Sequence, residues 1–234
     1  MQGVIVADPA SAAATAADFA VLAPYLAGLS PEQADIVGLM PIGSVNERLL
    51  AALPPRGEAG AGKIVAGLFL CDPFLGGRRL FARLGAAGVR GIVNLPTTHL
   101  IPPGVYRQAL NAAGIDPGAE LAALREARDA GLHVTATVAS FDQAARAVEV
   151  GIRSLLFHPG SPTGEAALDL RLVEGVLASI GRIRAMPAAP RIALYRHPGF
   201  GERIAPACAL VDDVVDWALP PPRAGAQLPS AEAV

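Results

Sequence analysis

The chain has a single lysine, Lys63, against 18 arginines. A lysine Schiff-base mechanism would rest on that one residue. Lys63 stands at the start of a strand-like run, the end of a parallel barrel that serves stability rather than chemistry. Cysteine is nearly as scarce. Cys71 and Cys208 lack metal-site spacing and read as buried apolar residues of a reduced compartment, not as a disulfide. No apolar run approaches the roughly 20 residues of a spanning helix. The first basic residue is Arg48, so the charged front of a signal peptide is missing and a cytoplasmic location is expected. No basic cluster exceeds Arg78-Arg79, and the formal net charge is −2. Nucleic acid and anionic membranes are therefore not expected as partners. No Gly-x-Gly-x-x-Gly follows the first strand-like run, which leaves a dinucleotide-binding fold without support.

What is present is a repeated grammar. The apolar run from Ile64 to Leu70 stops at Asp72 and Pro73. Such a run reads as a strand buried on both faces. The pattern returns at Ile92-Val93-Asn94-Leu95-Pro96, at Leu155-Leu156-Phe157-His158-Pro159, and from Ile192 through Tyr195, Arg196 and His197. If these strands are parallel neighbours, their polar ends converge on one side of the sheet, where α/β proteins build their sites.

Strand-like and helix-like runs alternate throughout. Strands are expected at 4–6, 36–40, 64–70, 91–95, 133–138, 154–157, 191–195 and 214–218. Helices are expected at 18–26, 46–53, 75–84, 106–112, 120–130, 142–150 and 166–184, with a short helix or turn at 201–209. Eight strands with interleaved helices predict a (β/α)8 barrel, a TIM barrel, over residues 1–219. An open doubly wound sheet is the alternative. Residues 220–234, with three consecutive prolines and small polar residues, read as a disordered tail. Those prolines forbid a helix directly after strand eight. The barrel is thus expected to lack its own eighth helix, to expose an apolar flank, and to form a homo-oligomer through it. The competing expectation is that residues 10–29 fold back over the gap.

Asp72 is the leading site candidate, because a carboxylate at the end of a buried strand needs a cation, a metal or backbone amides. It equally suits an N-cap with Pro73 at the first helical position. His158 and His197 are candidates for proton transfer or for satisfied structural histidines. Asn94 could orient a ligand carbonyl or tie down a long loop. His133 begins a strand, at the stability end, and the role of His99 is open. Two loops that open helices could hold an anion on their free amides: Gly43-Ser44-Val45-Asn46 and Gly160-Ser161-Pro162-Thr163-Gly164. Arg196 could clamp a carboxylate. Neighbours on a strand face opposite ways, so only one of Arg196 and His197 would enter a shared site.

In order along the chain, several stretches resemble one family. They are Gly38-Leu39-Met40-Pro41-Ile42-Gly43 with Asn46; Val65-Ala66-Gly67 through Asp72-Pro73-Phe74; Gly91 with Asn94, Pro96 and Thr97, then Leu100-Ile101; Gly118 with Glu120; His158 with Thr163-Gly164; and His197 with Gly199. The family is that of the TIM-barrel signal-transduction or phosphoenolpyruvate-hydrolase-like proteins, related to phosphoenolpyruvate mutase and isocitrate lyase. The resemblance implies a (β/α)8 barrel with its site at the C-terminal strand ends. It further implies lyase or hydrolase chemistry on a small oxoacid, enol phosphate or phosphonate, assisted by Mg²⁺ or another divalent cation. Asp72 would hold that metal, and Asp72, His158 and His197 would be catalytic. Gly43, Asn46, Asn94, Thr97, Glu120, Thr163, Gly164 and Arg196 would hold the substrate. One departure stands out: residues 34–37 run almost directly into Gly38, where the family carries a Gly-rich, Arg-containing loop. Its loss favours two other readings: a ligand-binding or sensory barrel without turnover, or a degenerate subunit of a larger assembly.

Overall fold

The computed structural model describes residues 1–37, 39–40, 44–53, 55 and 61–218, the side chains of residues 35, 36 and 61 excepted. Eight parallel strands close into a barrel in sequence order. The elements are β1 (Gln2–Val6), α1 (Pro9–Ala14), β2 (Phe19–Leu22), α2 (Pro31–Val37), α3 (Val45–Ala52), β3 (Ile64–Leu68), α4 (Arg78–Ala86), β4 (Gly91–Asn94), α5 (Val105–Ala112), α6 (Pro117–Asp129), β5 (His133–Val138), α7 (Phe141–Glu149), β6 (Ser154–Phe157), α8 (Ala166–Arg184), β7 (Arg191–Arg196), α9 (Ala205–Cys208) and β8 (Asp213–Trp217).

Strand alternation divides the core in two. Val4, Val6, Leu22, Leu68, Ile92, Val138, Leu155, Phe157 and Leu194 point outward and pack with the helices in one cluster. Ile5, Val21, Val65, Val93, Leu156, Ala193 and Val215 point inward and fill the middle of the lumen. A side-chain period of two on a closed sheet produces this division. Each large side chain fully buried this way contributes roughly 1.5–3 kcal/mol. Local signals set the helix starts. Asp116 accepts hydrogen bonds from the amides of Gly118 (2.7 Å) and Ala119 (3.0 Å), with Pro117 opening α6.

Two expectations fail in the early part of the chain. The helix expected at 18–26 is instead β2, followed by a 3-10 turn at Pro24–Leu26. Its run of four apolar residues is too short for a helix, and Gln2 donates its amide to Asp18 at 2.7 Å, which seats β2 beside β1. The strand expected at 36–40 is replaced by α2, whose helix reaches Val37. Ser30 and Gln33 form a reciprocal capping box there, Ser30 N to Gln33 Oε1 at 2.9 Å and Gln33 N to Ser30 Oγ at 3.4 Å. The Ser-Pro-Glu-Gln sequence carried that signal. Because residues 19–22 form a barrel strand, residues 10–29 are not a flap over the β8–β1 flank; α1 packs against β1 and β2. The expected tail at 220–234 lies outside the described residues.

Candidate functional site

At the C-terminal mouth the lumen narrows between residues from strand ends and loops. Ile5, Tyr25, Leu26, Leu95, Pro96, Thr97, Leu100, His158, Tyr195 and Trp217 line a cavity of about 20 Å³, room for about one water. His158 follows β6, Tyr195 lies on β7, and His197 follows β7. The β6–β7 register, Phe157 opposite Leu194, brings His158 level with Tyr195. Their ring centroids are 4.9 Å apart, those of Tyr195 and His197 5.5 Å, and those of the two histidines 6.5 Å. Both histidines are buried. The amide of Gly160 donates to His158 Nδ1 at 3.1 Å, and the amide of Gly199 donates to His197 Nδ1 at 3.0 Å. An amide can only donate, so both Nδ1 atoms are acceptors and both neutral rings carry their proton on Nε2.

Asn94 takes a different direction. It sits on the outward face of β4 in a buried polar network. The β4–β5 ladder ends at Val93–Thr135. Beyond it the Asn94 amide substitutes for the missing rung: its Oδ1 accepts from Thr137 N at 2.6 Å. Its Nδ2 donates to Glu120 Oε2 at 2.5 Å and to Thr97 Oγ1 at 3.1 Å. Glu120 is fully buried and also accepts from Thr97 Oγ1 (2.7 Å) and from the amide of Thr98 (2.5 Å). These bonds replace the water its carboxylate loses. His99 lies beside it, with Nδ1 2.7 Å from the carbonyl of Thr137 and hence protonated. Burial pulls His99 below the usual histidine range, against the opposing charge of Glu120. Asn94, Thr97 and Glu120 thus form one cluster, and it holds the loop that walls the mouth.

Asp72 lies half-exposed after β3, with Oδ1 accepting from the amide of Phe74 at 2.8 Å and Oδ2 from Asn46 Nδ2 at 2.9 Å. Asn46 is buried and also exchanges hydrogen bonds with the backbone of Phe69, both at 3.0 Å. The pair fastens the start of α3 to the end of β3. Thr163 donates its amide and hydroxyl to Asp169 Oδ1, at 2.7 and 2.9 Å, ahead of α8. These bonds hold the Asp169 carboxyl below the ordinary range. Gly164 turns the chain there with φ +81°. Arg196 points outward and grips Asp216 with two bonds of 2.6 and 2.8 Å. Gly43 lies outside the described residues. All the described candidates therefore sit at the C-terminal end of the barrel, but only His158 and Thr97 line the cavity at its mouth, with the His197 ring packed against those of His158 and Tyr195.

The donor set for a divalent cation is short. Among the described residues, no three of His, Cys, Asp and Glu come together as a metal site requires. Asp72 brings one carboxylate whose two oxygens already accept hydrogen bonds, so these residues do not fit Mg²⁺. The sequence reading also passed over Tyr195 and Trp217. Alternation could have found Tyr195, which stands two residues before His197 and so on the same face.

A family model described as phosphoenolpyruvate hydrolase-like matches residues 12–189. The chain belongs to the phosphoenolpyruvate hydrolase-like family. A relative from Sinorhizobium fredii (strain NBRC 101917 / NGR234), the uncharacterized protein y4oT, is 35% identical over 133 residues, which is 57% of this chain and 67% of that one. Among solved structures, one described as native KDPGal aligns with a TM-score of 0.45 and 15% identity, covering 92% of this chain and 81% of that one. A subunit of a designed cube-shaped, highly porous protein cage aligns with a TM-score of 0.43 and 16% identity, and this chain spans 62% of its length. The match to the phosphoenolpyruvate hydrolase-like model runs from α1 to beyond α8 and so takes in the mouth's His158 and the network of Asn94, Thr97 and Glu120. No helix among the described residues is long and apolar enough to cross a membrane.

Proposed function

We propose that the C-terminal mouth takes a small oxoacid, enol phosphate or phosphonate, and that the protein is a lyase or hydrolase of such compounds. One observation carries this reading: His158 and His197 directly follow the neighbouring strands β6 and β7, and a glycine amide fixes each ring with its proton on Nε2. An Nε2–H can stabilise an oxyanion as it forms and can hand a proton to a leaving group. Thr137 Oγ1 is buried without a hydrogen-bond partner among the described residues. An unpaired hydroxyl costs about 1–3 kcal/mol, and because Thr137 does not line the cavity of about 20 Å³ a ligand would reach it only once the mouth has opened. Ligand entry requires the Tyr25–Leu26 turn or the 95–100 loop to move, because the cavity holds only about 20 Å³. A divalent cation is part of the family expectation, but no step here depends on it.

The test is a thermal-shift series with 2-oxoacids, phosphoenolpyruvate and phosphonopyruvate, with and without Mg²⁺ or Mn²⁺. A ligand at 100 times its dissociation constant stabilises by roughly 2.7 kcal/mol. His158→Gln and His197→Gln should remove that shift. No shift with any compound in the intact protein would sink the reading. A second reading, a binding barrel without turnover, is favoured by Asp72, whose carboxylate is taken up by Phe74 and Asn46. Product detected by NMR from any bound compound would exclude it. We also propose a homo-oligomer through the β8–β1 flank, since Pro220-Pro221-Pro222 in the sequence forbid a helix directly after β8. A light-scattering mass near the 23.9 kDa of one chain would rule that out.

A further inference from the structure

The opposite, N-terminal mouth contains the larger space. A cavity of about 160 Å³ lies among Phe19, Arg90, His133, Thr135, Ser154, Arg191 and Asp213, many times the 10–15 Å³ that one water needs. Barrel interiors are ordinarily filled by layers of bulky branched side chains. Here the layer at the strand starts is polar and hollow. Arg191 spends two donors on Asp213, both at 2.6 Å. Asp213 also lies 3.1 Å from the amino group of Met1. The Arg90 guanidinium has no acceptor among the described residues; it rests 5.9 Å from the centre of the Phe19 ring. That ring occupies the space a Cβ at Gly3 would need, its Cζ 2.4 Å from such an atom. Glycine at position 3 thus makes room for the platform on which Arg90 lies. Thr135 and Ser154 share one hydrogen bond of 3.1 Å. Whichever hydroxyl donates, one hydrogen remains for a further acceptor.

We propose that this N-terminal mouth is a binding site for a small oxyanion, inorganic phosphate or a phosphate monoester, held by Arg90, Arg191, His133 and the Thr135–Ser154 hydroxyl pair. It is separate from the site proposed at the C-terminal mouth and does not depend on it. Planar guanidinium groups and hydroxyl hydrogens match phosphate oxygens. The charge balance favours an anion, because Asp213 is the one carboxylate in the lining and Arg191 already pairs with it. His133 senses the same field: burial and then the charges of Arg90 and Arg191 hold it below the usual histidine range.

Isothermal titration with inorganic phosphate tests the site, on the full chain, on Arg90→Gln and on His197→Gln. The site predicts saturable binding that weakens by about tenfold or more in Arg90→Gln, the loss of one charged bidentate partner. His197→Gln at the other mouth should bind within about twofold of the intact protein. NMR of the His133 ring in the intact protein gives an independent readout, since a bound anion must raise its titration midpoint. No saturable binding, equal binding by Arg90→Gln, loss of binding in His197→Gln, or an unmoved His133 midpoint at saturating phosphate would each overturn the assignment. If Arg90→Gln fails to fold, the His133 midpoint alone decides.

Discussion

At the C-terminal mouth the space between His158, Tyr195 and Trp217 is about 20 Å³; at the N-terminal mouth, between Arg90, His133 and Arg191, it is about 160 Å³. The first is closed by aromatic rings and a loop pinned from behind by a fully buried carboxylate. The second is open, with a polar rim of largely exposed charged side chains above an apolar floor of Val21, Val65, Val93, Leu156, Ala193 and Val215. Barrel proteins ordinarily hold their chemistry at the first end and their stability at the second. Here most polar groups behind the C-terminal mouth are spent on one another, the Thr98 and Thr137 hydroxyls excepted, while those at the N-terminal mouth include the unused donors of Arg90. An apolar, self-satisfied wall must open before it can bind. A hollow lined by unspent donors can bind as it stands.

The largest expected effect would test that division directly. Glu120→Ala strips partners from Asn94 Nδ2, Thr97 Oγ1 and the Thr98 amide at once. Hydrogen bonds to charged groups contribute about 1.5–3 kcal/mol each, and buried groups left unpaired cost more. A loss of about 3 kcal/mol or more is expected in urea unfolding. Arg90→Gln at the other mouth should stay within about 0.5 kcal/mol, as exposed substitutions do. Equal costs would erase the contrast between the ends.

Gly3→Val comes next. The new side chain would meet the Phe19 ring, which lies within 2.4 Å of the first added atom. Overpacking of this kind costs about 1–3 kcal/mol. It should also unseat Arg90. A variant as stable as the parent would show that the Phe19 platform is loose.

The later two-thirds of the barrel was legible because its strands are short runs rich in apolar and β-branched residues, set off by clear helices and by Gly, Pro and polar residues. β5, β6 and α8 fall on the residues the pattern marks. The early part was harder for physical reasons. β2 has four apolar residues inside an Ala-rich stretch, where helical and strand periods look alike. α2 is announced only by its Ser30–Gln33 cap. For the site, the sequence marks which strand ends are polar but not which way each side chain turns. Asn94 and Arg196 stand on outward positions, so they met Glu120 and Asp216 rather than the lumen. The hollow at the N-terminal mouth left no trace, because a void is a property of packing between strands far apart in sequence.

A smaller effect depends on pH. His99 and His133 are both held below the usual histidine value of 6.5, His99 first by burial and His133 first by the partial enclosure of its otherwise solvent-open ring. A base whose folded pKa is lowered leaves the unfolded chain to take up the proton first. Stability should therefore be lost as pH falls below about 6.5 and be fully present above it. Buried His99 should account for most of the loss between pH 7.5 and 5.5. Exposed His133 should add less, because solvent screens its neighbours. Urea midpoints that do not move over that range would show that neither mouth resists protonation.

The smallest effect concerns Cys71, beside the Glu120 network, and leaves stability untouched. Burial, and then the nearby charge of Glu120, pushes its thiol up to about 12, while its Sγ lies 3.4 Å from the Asp116 carbonyl. At pH 8 only about one molecule in ten thousand then carries the thiolate that an alkylating agent attacks. Iodoacetamide should leave Cys71 unmodified in the native protein, and mass spectrometry of the peptides reads this directly. Half-buried Cys208, raised by burial but less enclosed, should react first. The rate at Cys71 thus reports openings of the C-terminal end, since only an opened state exposes an ordinary thiol. If a 2-oxoacid props that end open, labelling of Cys71 should quicken with the ligand, whereas phosphate at the N-terminal mouth should not change it. Rapid labelling without any ligand would mean that the C-terminal end already opens freely, and the contrast between the two mouths would be one of average shape only.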